Sequence, residues 1–248
     1  MPAIEFLSAY WSSGELATNV VILFNLLGAL ALGLMVGYER AYHGRAAGMR
    51  TYGLVCMASA ALTVVVGYPG YWFGGHAAHV VGTVDPTRVI QGIVSGIGFL
   101  GAGVIMREGF NISGLTTAAS IWASSVIGVL VGLGFYLSAM GLSLLCASTM
   151  MYMSRLESRL PSRHAVAITM RFKPGYLPQE QALREMALVR GYEIASGSLM
   201  ISLDRGMQEW RFVAIALGKH SGAPLSVLSA ELAAFDGIDG FQLTHARN

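Results

Sequence analysis

Residues 20–37 read VVILFNLLGALALGLMVG, an apolar run with no charged side chain, and its length decides the fold class. A helix rises about 1.5 Å per residue, so roughly 20 apolar residues cross a hydrocarbon layer near 30 Å thick. Further apolar runs follow at 52–67 (YGLVCMASAALTVVVG), 89–106 (VIQGIVSGIGFLGAGVIM), 116–132 and 135–153. The last two flank Gly134 and must form a tight helical hairpin. Composition agrees with a bilayer as solvent. Of 248 residues, 54% are hydrophobic and 12% charged, about half the charge share of a soluble domain. Mean hydropathy is +0.56. The expected fold is therefore a membrane all-α bundle of five transmembrane helices over residues 1–156. A small α+β domain follows over 161–248. The N-terminus lacks a basic stretch ahead of an apolar run, so a cleaved signal peptide is not expected. The net charge of +2 points to no nucleic-acid partner. Cys56 and Cys146 lie inside apolar runs and read as small buried hydrophobes.

Orientation follows from the arginines of the short loops. Arg40, Arg45 and Arg50 lie between spans 1 and 2, and Arg155, Arg159 and Arg163 follow span 5. Arg107 follows span 3, whereas the loop before it has only Arg88 beside Asp85. This alternation places the N-terminus in the periplasm and the C-terminal domain in the cytoplasm, which requires an odd number of spans. Tyr68, Tyr71, Trp72 and Phe73 in the loop after span 2 read as an interfacial aromatic belt.

Span 3 carries Gly92, Gly96, Gly98, Gly101 and Gly103. Gly92 and Gly96 form a GxxxG pair with Gly103 on the same face, and Gly98 lies with Ala102 on a second. Small residues let helix backbones approach in lipid, so span 3 is expected at the centre of the bundle. Gly33 and Gly37 of span 1, and Gly128 and Gly132 of span 4, are the partners on offer. Gly96, Gly98 and Gly101 also fit G-x-G-x-x-G, but no strand precedes them and no acidic residue follows at the required distance. Asn111-Ile112-Ser113 matches a glycosylation sequon on the wrong side of the membrane, and Ser113 reads instead as a cap for span 4.

Three carboxylates stand at span ends: Glu39, Asp85 and Glu108. Glu39 can face Arg50 across the loop, Asp85 and Arg88 can pair at i, i+3 spacing, and Arg107 precedes Glu108. Anchoring and orientation explain these residues, and a cation path is the alternative. No carboxylate lies deep in a span, which argues against an ion pump. Gln91, Thr116, Thr117, Ser120 and Trp122 are the polar groups able to line an interior.

The stretches GYERAYHGRAAGMRTYGLV, DPTRVIQGIVSGIGFLGAGVIM and GLTTAASIWASSVIG resemble the MgtC/SapB family of bacterial inner-membrane proteins over residues 28–134. The matching positions are Glu39, Arg40, Gly48, Arg50, Thr51, Asp85 and Arg88, then 95–103, then 114–119 with Thr116 and Thr117, and Trp122. Where family members often read ERE, this chain has Glu39-Arg40-Ala41 and lacks the second acid. The resemblance implies a role in growth under magnesium limitation and in survival inside host phagocytes. It implies regulation by restraint of the membrane ATP synthase, with that enzyme's membrane subunits as partners.

Beyond residue 161 the pattern is that of a soluble domain. His164 to Phe172 alternates as a strand. Pro178 opens a helix that Gly191 closes. Tyr192 to Leu203 and Gln208 to Leu217 read as two strands around Asp204-Arg205-Gly206. Leu225, Leu228, Leu232 and Phe235 share a helical face, and Ile238 to His245 makes a last strand. The order βαββαβ is ferredoxin-like and looks like an ACT-type regulatory domain. Dimerisation or a plain folding role is expected of it, and its ligand loop would be Lys173-Pro174-Gly175. His220 and His245 are too isolated to ligate a metal. No cofactor is implied and no metal site can be assigned. No nucleophile stands beside a base, so an enzyme is not expected. Two functions remain: a regulator that restrains another membrane complex, and a transporter or channel for a divalent cation such as magnesium.

Overall fold

The computed structural model describes residues 10–45, 47–75, 85–108, 111–159, 163–204, 206–218 and 221–246. Their contacts divide the chain into two compact units, one of residues 1–106 and 114–155, the other of 107–113 and 156–248. Much of the loop between spans 2 and 3 lies outside the described residues, as do Pro161, Arg205 and His220.

Among the described residues, five helices are long and apolar enough to cross a membrane. They are α1 (Ser13–Tyr42), α2 (Met49–Val66), α3 (Pro86–Val104), α4 (Leu115–Gly132) and α5 (Tyr136–Arg159). α1 has 30 residues, about 45 Å of helix. That exceeds the hydrocarbon core, so its polar ends, with Glu15 at one and Glu39 and Arg40 at the other, stand at the interfaces. Ser12 opens α1 by accepting the Glu15 N–H at 3.2 Å. A short hairpin, β1 (Met106–Glu108) with β2 (Asn111–Ser113), joins α3 to α4. The cap of α4 is Gly114 rather than Ser113. Its φ of +89° is left-handed, and a Cβ there would collide with the Val104 carbonyl.

The centre of the bundle is α2, not α3. A Cβ built on Gly33 of α1 would lie 2.6 Å from the Tyr52 carbonyl oxygen and 2.8 Å from Cys56 Cβ. On the opposite side, one on Gly132 of α4 would lie 2.6 Å from Thr63 Cβ, and one on Gly128 would strike the Cys56 carbonyl. Glycines of α1 and α4 thus clamp α2 from both sides, where absent side chains allow backbone approach. The expected packing role of the span 3 glycines is corrected. Nothing lies within 4 Å of a Cβ on Gly92, Gly96, Gly98 or Gly103, and Gly101 meets only Ala118 at 3.7 Å. α3 buries Ile93, Ile97 and Gly101 and turns the rest of its surface outward. α5 binds α1 through Tyr136, whose hydroxyl donates to Asn25 Oδ1 at 2.8 Å, and Ser143, which donates to the Leu32 carbonyl at 3.2 Å.

The second unit contains β3 (Ala165–Phe172), α6 (Glu180–Val189), β4 (Tyr192–Ile194), β5 (Met200–Asp204), β6 (Met207–Ala216), α7 (Leu225–Ala234) and β7 (Ile238–Ala246). The sheet order is β4-β6-β3-β7, with β5 also on β6 and every pairing antiparallel. That is the split βαβ order of a ferredoxin-like sheet. Val166, Ile168, Met170 and Phe172 alternate into a core with Trp210, Phe212 and Leu228. The strand expected over Tyr192 to Leu203 is two strands. Gly197, at φ +76°, turns the chain between them. β4 pairs Tyr192 with Ala216, while β5 pairs Met200 with Arg211.

Candidate functional site

The functional candidates of the helical unit converge where α1, α2 and α4 meet. At the C-terminal end of α1, Glu39 and Arg40 are 8% and 6% exposed. Arg40 donates from Nη2 to Thr117 Oγ1 on α4 at 2.7 Å. Glu39 Oε1 lies 3.0 Å from His43 Nδ1, one turn along α1. Glu39 Oε2 and Arg40 Nε are buried without a hydrogen-bond partner. An unmet polar atom costs about 1–3 kcal/mol, and more when charged. The pair is thus kept in a costly state at the membrane edge.

From Thr117 a seam of hydroxyls runs between α2 and α4. Thr117, Ser120 and Ser124 recur at i, i+3, i+7, which keeps them on one helix face, and all three are buried. Ser120 donates to the Thr116 carbonyl at 2.8 Å, so the buried Tyr52 hydroxyl is the donor to Ser120 Oγ. Ser124 donates to the Tyr52 carbonyl at 3.0 Å. Deeper, the Ser59 and Ser125 hydroxyls meet at 2.8 Å, and Thr63 donates to the Ser59 carbonyl at 2.7 Å. The Thr63 and Ser120 bonds to carbonyls stay within α2 and α4, while bonds that cross between helices average about 0.6 kcal/mol in lipid and reach about 1.7. The seam is internally satisfied: its hydroxyls serve one another and nearby carbonyls, which fits a latch better than an ion-coordinating cage. Among the described residues no group of three or more His, Cys, Asp or Glu side chains could hold a metal ion.

The other expected site residues lie apart. Arg50 and Thr51 are exposed on the first turn of α2, and Arg50 does not meet Glu39. Asp85 does not pair with Arg88. It caps α3, accepting from Thr87 N at 2.9 Å and Thr87 Oγ1 at 2.6 Å. The Thr87 side-chain bond, then its backbone bond, hold the Asp85 carboxyl below the usual range. Arg88 is exposed with no partner among the described residues. Thr116, Gln91 and Trp122 face outward, so of the proposed lining groups only Thr117 and Ser120 enter the interior. Tyr52, Ser59, Thr63, Ser124 and Ser125 were not anticipated. The helical spacing of the α4 hydroxyls was the available signal.

The MgtC family profile matches residues 26–159, which contain all of this seam. The chain belongs to the MgtC family. It is 47% identical over 109 residues to "Protein MgtC" of Brucella abortus (strain 2308), a match covering 44% of this chain and 41% of that protein. It is 42% identical over 131 residues to "Protein MgtC" of Salmonella typhimurium (strain LT2), covering 52% of each. The chain thus spans about half the length, or less, of these curated relatives. No solved structure matches. MgtC family membership and five apolar helices make this a multi-pass membrane protein. The match includes Glu39, Arg40 and Thr117, so the buried cluster belongs to the family region.

Proposed function

We propose that this chain is a regulator that docks on another membrane complex and restrains it, the role that the family resemblance implies. The partner implied is the membrane ATP synthase, and the setting is bacterial growth in low magnesium and intracellular survival. The reading places the chain in the inner membrane, N-terminus periplasmic, with a cytoplasmic ACT-like domain and no enzymatic activity. One observation carries it. Gln91, Ser95, Gly98 and Ala102, at i, i+4, i+7, i+11 of α3, share an exposed face. Hydrocarbon cannot satisfy the Gln91 amide, whereas a partner helix with a small-residue face can. The test is co-purification of ATP synthase membrane subunits with the intact chain from magnesium-starved cells. Gln91→Leu and Gly98→Leu should each abolish it. Retention of the complex in both variants refutes this docking face.

A second reading, a divalent cation transporter or channel, draws on Glu39, whose Oε2 is buried without a partner. Liposomes holding the purified chain decide between them. Saturable magnesium flux that Glu39→Gln abolishes would replace the regulator by a transporter.

A further inference from the structure

Strand β5 pairs with β6 on one side and leaves its other edge open. All of its 5 residues are exposed. Three are large and apolar: Met200 is 54% exposed, Ile201 54% and Leu203 70%. A free apolar edge is a template for another strand, and proteins blunt such edges with lysine, proline or a bulge. Met200 to Asp204 contains neither residue, and its register with β6 is unbroken. Asp204 pairs with Met207 across a two-residue turn. Asp204, Ser202 and Met200 therefore bond to β6, and the N–H and C=O of Ile201 and Leu203 point outward. An antiparallel strand presents the groups that match them.

The side chains select the strand. Turned about a two-fold axis at Ser202, a second β5 sets Ile201 opposite Leu203 on both sides of the axis, and each such pair exchanges both backbone bonds. Ile201 is in register with the buried Trp210, so Ile201 and Leu203 of the two copies meet on the core side of the sheet and extend that core. On the other face, Asp204 comes to lie beside Met200 of the second copy. Met200 is in register with Arg211, which places that arginine one strand further on, within its side chain's reach. Arg211 Nε donates to Glu209 at 2.7 Å, and Arg171 shares the same carboxylate at 3.1 Å. The trio thus keeps one positive charge in excess. Asp204 has no ion-pair partner among the described residues. We propose that β5 is a self-association edge: two copies of this chain join β5 to β5 antiparallel, with Asp204 of each against Arg211 of the other. α5 ends at Arg159 and β3 begins at Ala165, so a short link confines each edge near the same membrane and raises its effective concentration for the other. The pairing does not rest on the regulator reading.

Intact chains carrying a donor or an acceptor dye at the C-terminus are mixed in liposomes, and energy transfer is followed as the lipid-to-protein ratio rises. Transfer in the parent should persist at dilutions where randomly placed copies give none. Leu203→Lys puts a charge on the edge and should abolish it. The variant should fold, since the side chain is 70% exposed. Leu177→Lys, 78% exposed outside β5, should leave transfer unchanged. Asp204→Lys and Arg211→Glu should each weaken pairing about tenfold, and the two changes together should restore it. Transfer at the random level in the parent overturns the proposal, as it would if β5 accepted only the strand of a different protein. Parental transfer in Leu203→Lys overturns it too, because the copies would then meet elsewhere. A charge swap that restores nothing overturns the antiparallel pairing.

Discussion

Replacing Thr117 by valine removes the hydroxyl that receives the Arg40 guanidinium. The change nearly conserves volume, so the loss is chiefly the hydrogen bond. Arg40 is 6% exposed, its Nη2 bond to Thr117 is 2.7 Å long, and its Nε has no partner. A hydrogen bond to a charged group contributes about 1.5–3 kcal/mol, and a buried charge that loses its partner cannot recover this from water. Thr117→Val should therefore destabilise the helical unit by about 1.5–3 kcal/mol. The neutral bonds of the seam, at about 0.6 kcal/mol each, set the contrast, and Ser125→Ala should cost less. The assay is unfolding in mixed micelles with rising dodecyl sulfate, followed by helical circular dichroism. Arg40→Met with Thr117→Val completes a double-mutant cycle. Because the two side chains touch, the double variant should cost less than the two singles added. Additivity within about 0.5 kcal/mol, or a Thr117→Val variant as stable as the parent, refutes the link between α1 and α4.

The glycines should divide into two classes in the same assay. Gly33→Leu should cost about 3 kcal/mol or more through overpacking against α2, whereas Gly92→Ala, with open space around its new Cβ, should be neutral or gain up to about 1 kcal/mol of helix propensity. Asp85→Asn keeps an acceptor for the Thr87 N–H and should leave α3 intact, while Asp85→Ala should fray its first turn, read as faster amide exchange at Thr87 and Arg88. In the second unit, Arg211, hydrogen-bonded to Glu209, and Arg171 beside it hold the Glu209 carboxyl below its ordinary value. A depressed folded-state value gives stability that is present above the unfolded carboxylate range and is lost as pH falls through the folded value. Acid titration should show Glu209→Gln removing part of that loss, and a pH profile identical to the parent's would contradict it.

The spans were legible because a bilayer demands long charge-free runs, and five such runs stand in the sequence. Their ends were less so. α1 extends past the apolar run at both sides, since Ser12 caps it and polar residues remain helical at an interface. Neighbours were not legible. Gly33 and Gly92 look alike in sequence, yet one touches the α2 backbone and the other faces open space. A small-residue stripe records that close approach is permitted; the arrangement of the other helices decides whether it happens. Thr117 and Ser120 were recognisable as interior groups, but Thr116 was not separable from them without the phase of α4. The broken strand is a different failure. Ala195-Ser196-Gly197-Ser198 is a turn signal, and it was outweighed by the apolar residues on either side.

These placements give the helical unit a mechanical division. α1, α2 and α4 are held by backbone contact at Gly33, Gly128 and Gly132, and α2 and α4 also by the bonds of Tyr52 with Ser120 and Ser124 and of Ser59 with Ser125. Moving any of them breaks several bonds at once. α3 is held by Ile93, Ile97 and Gly101, through apolar contacts that lack direction. Arg40, Thr117 and the hydroxyls belong to the fixed part. Gln91, Ser95 and the open glycines belong to the exposed surface of α3. The proposed regulator would need both, a frame to hold its shape and a surface whose contacts are not yet made. On this division, substitutions in the seam act through stability, and substitutions on α3 act through what the chain binds.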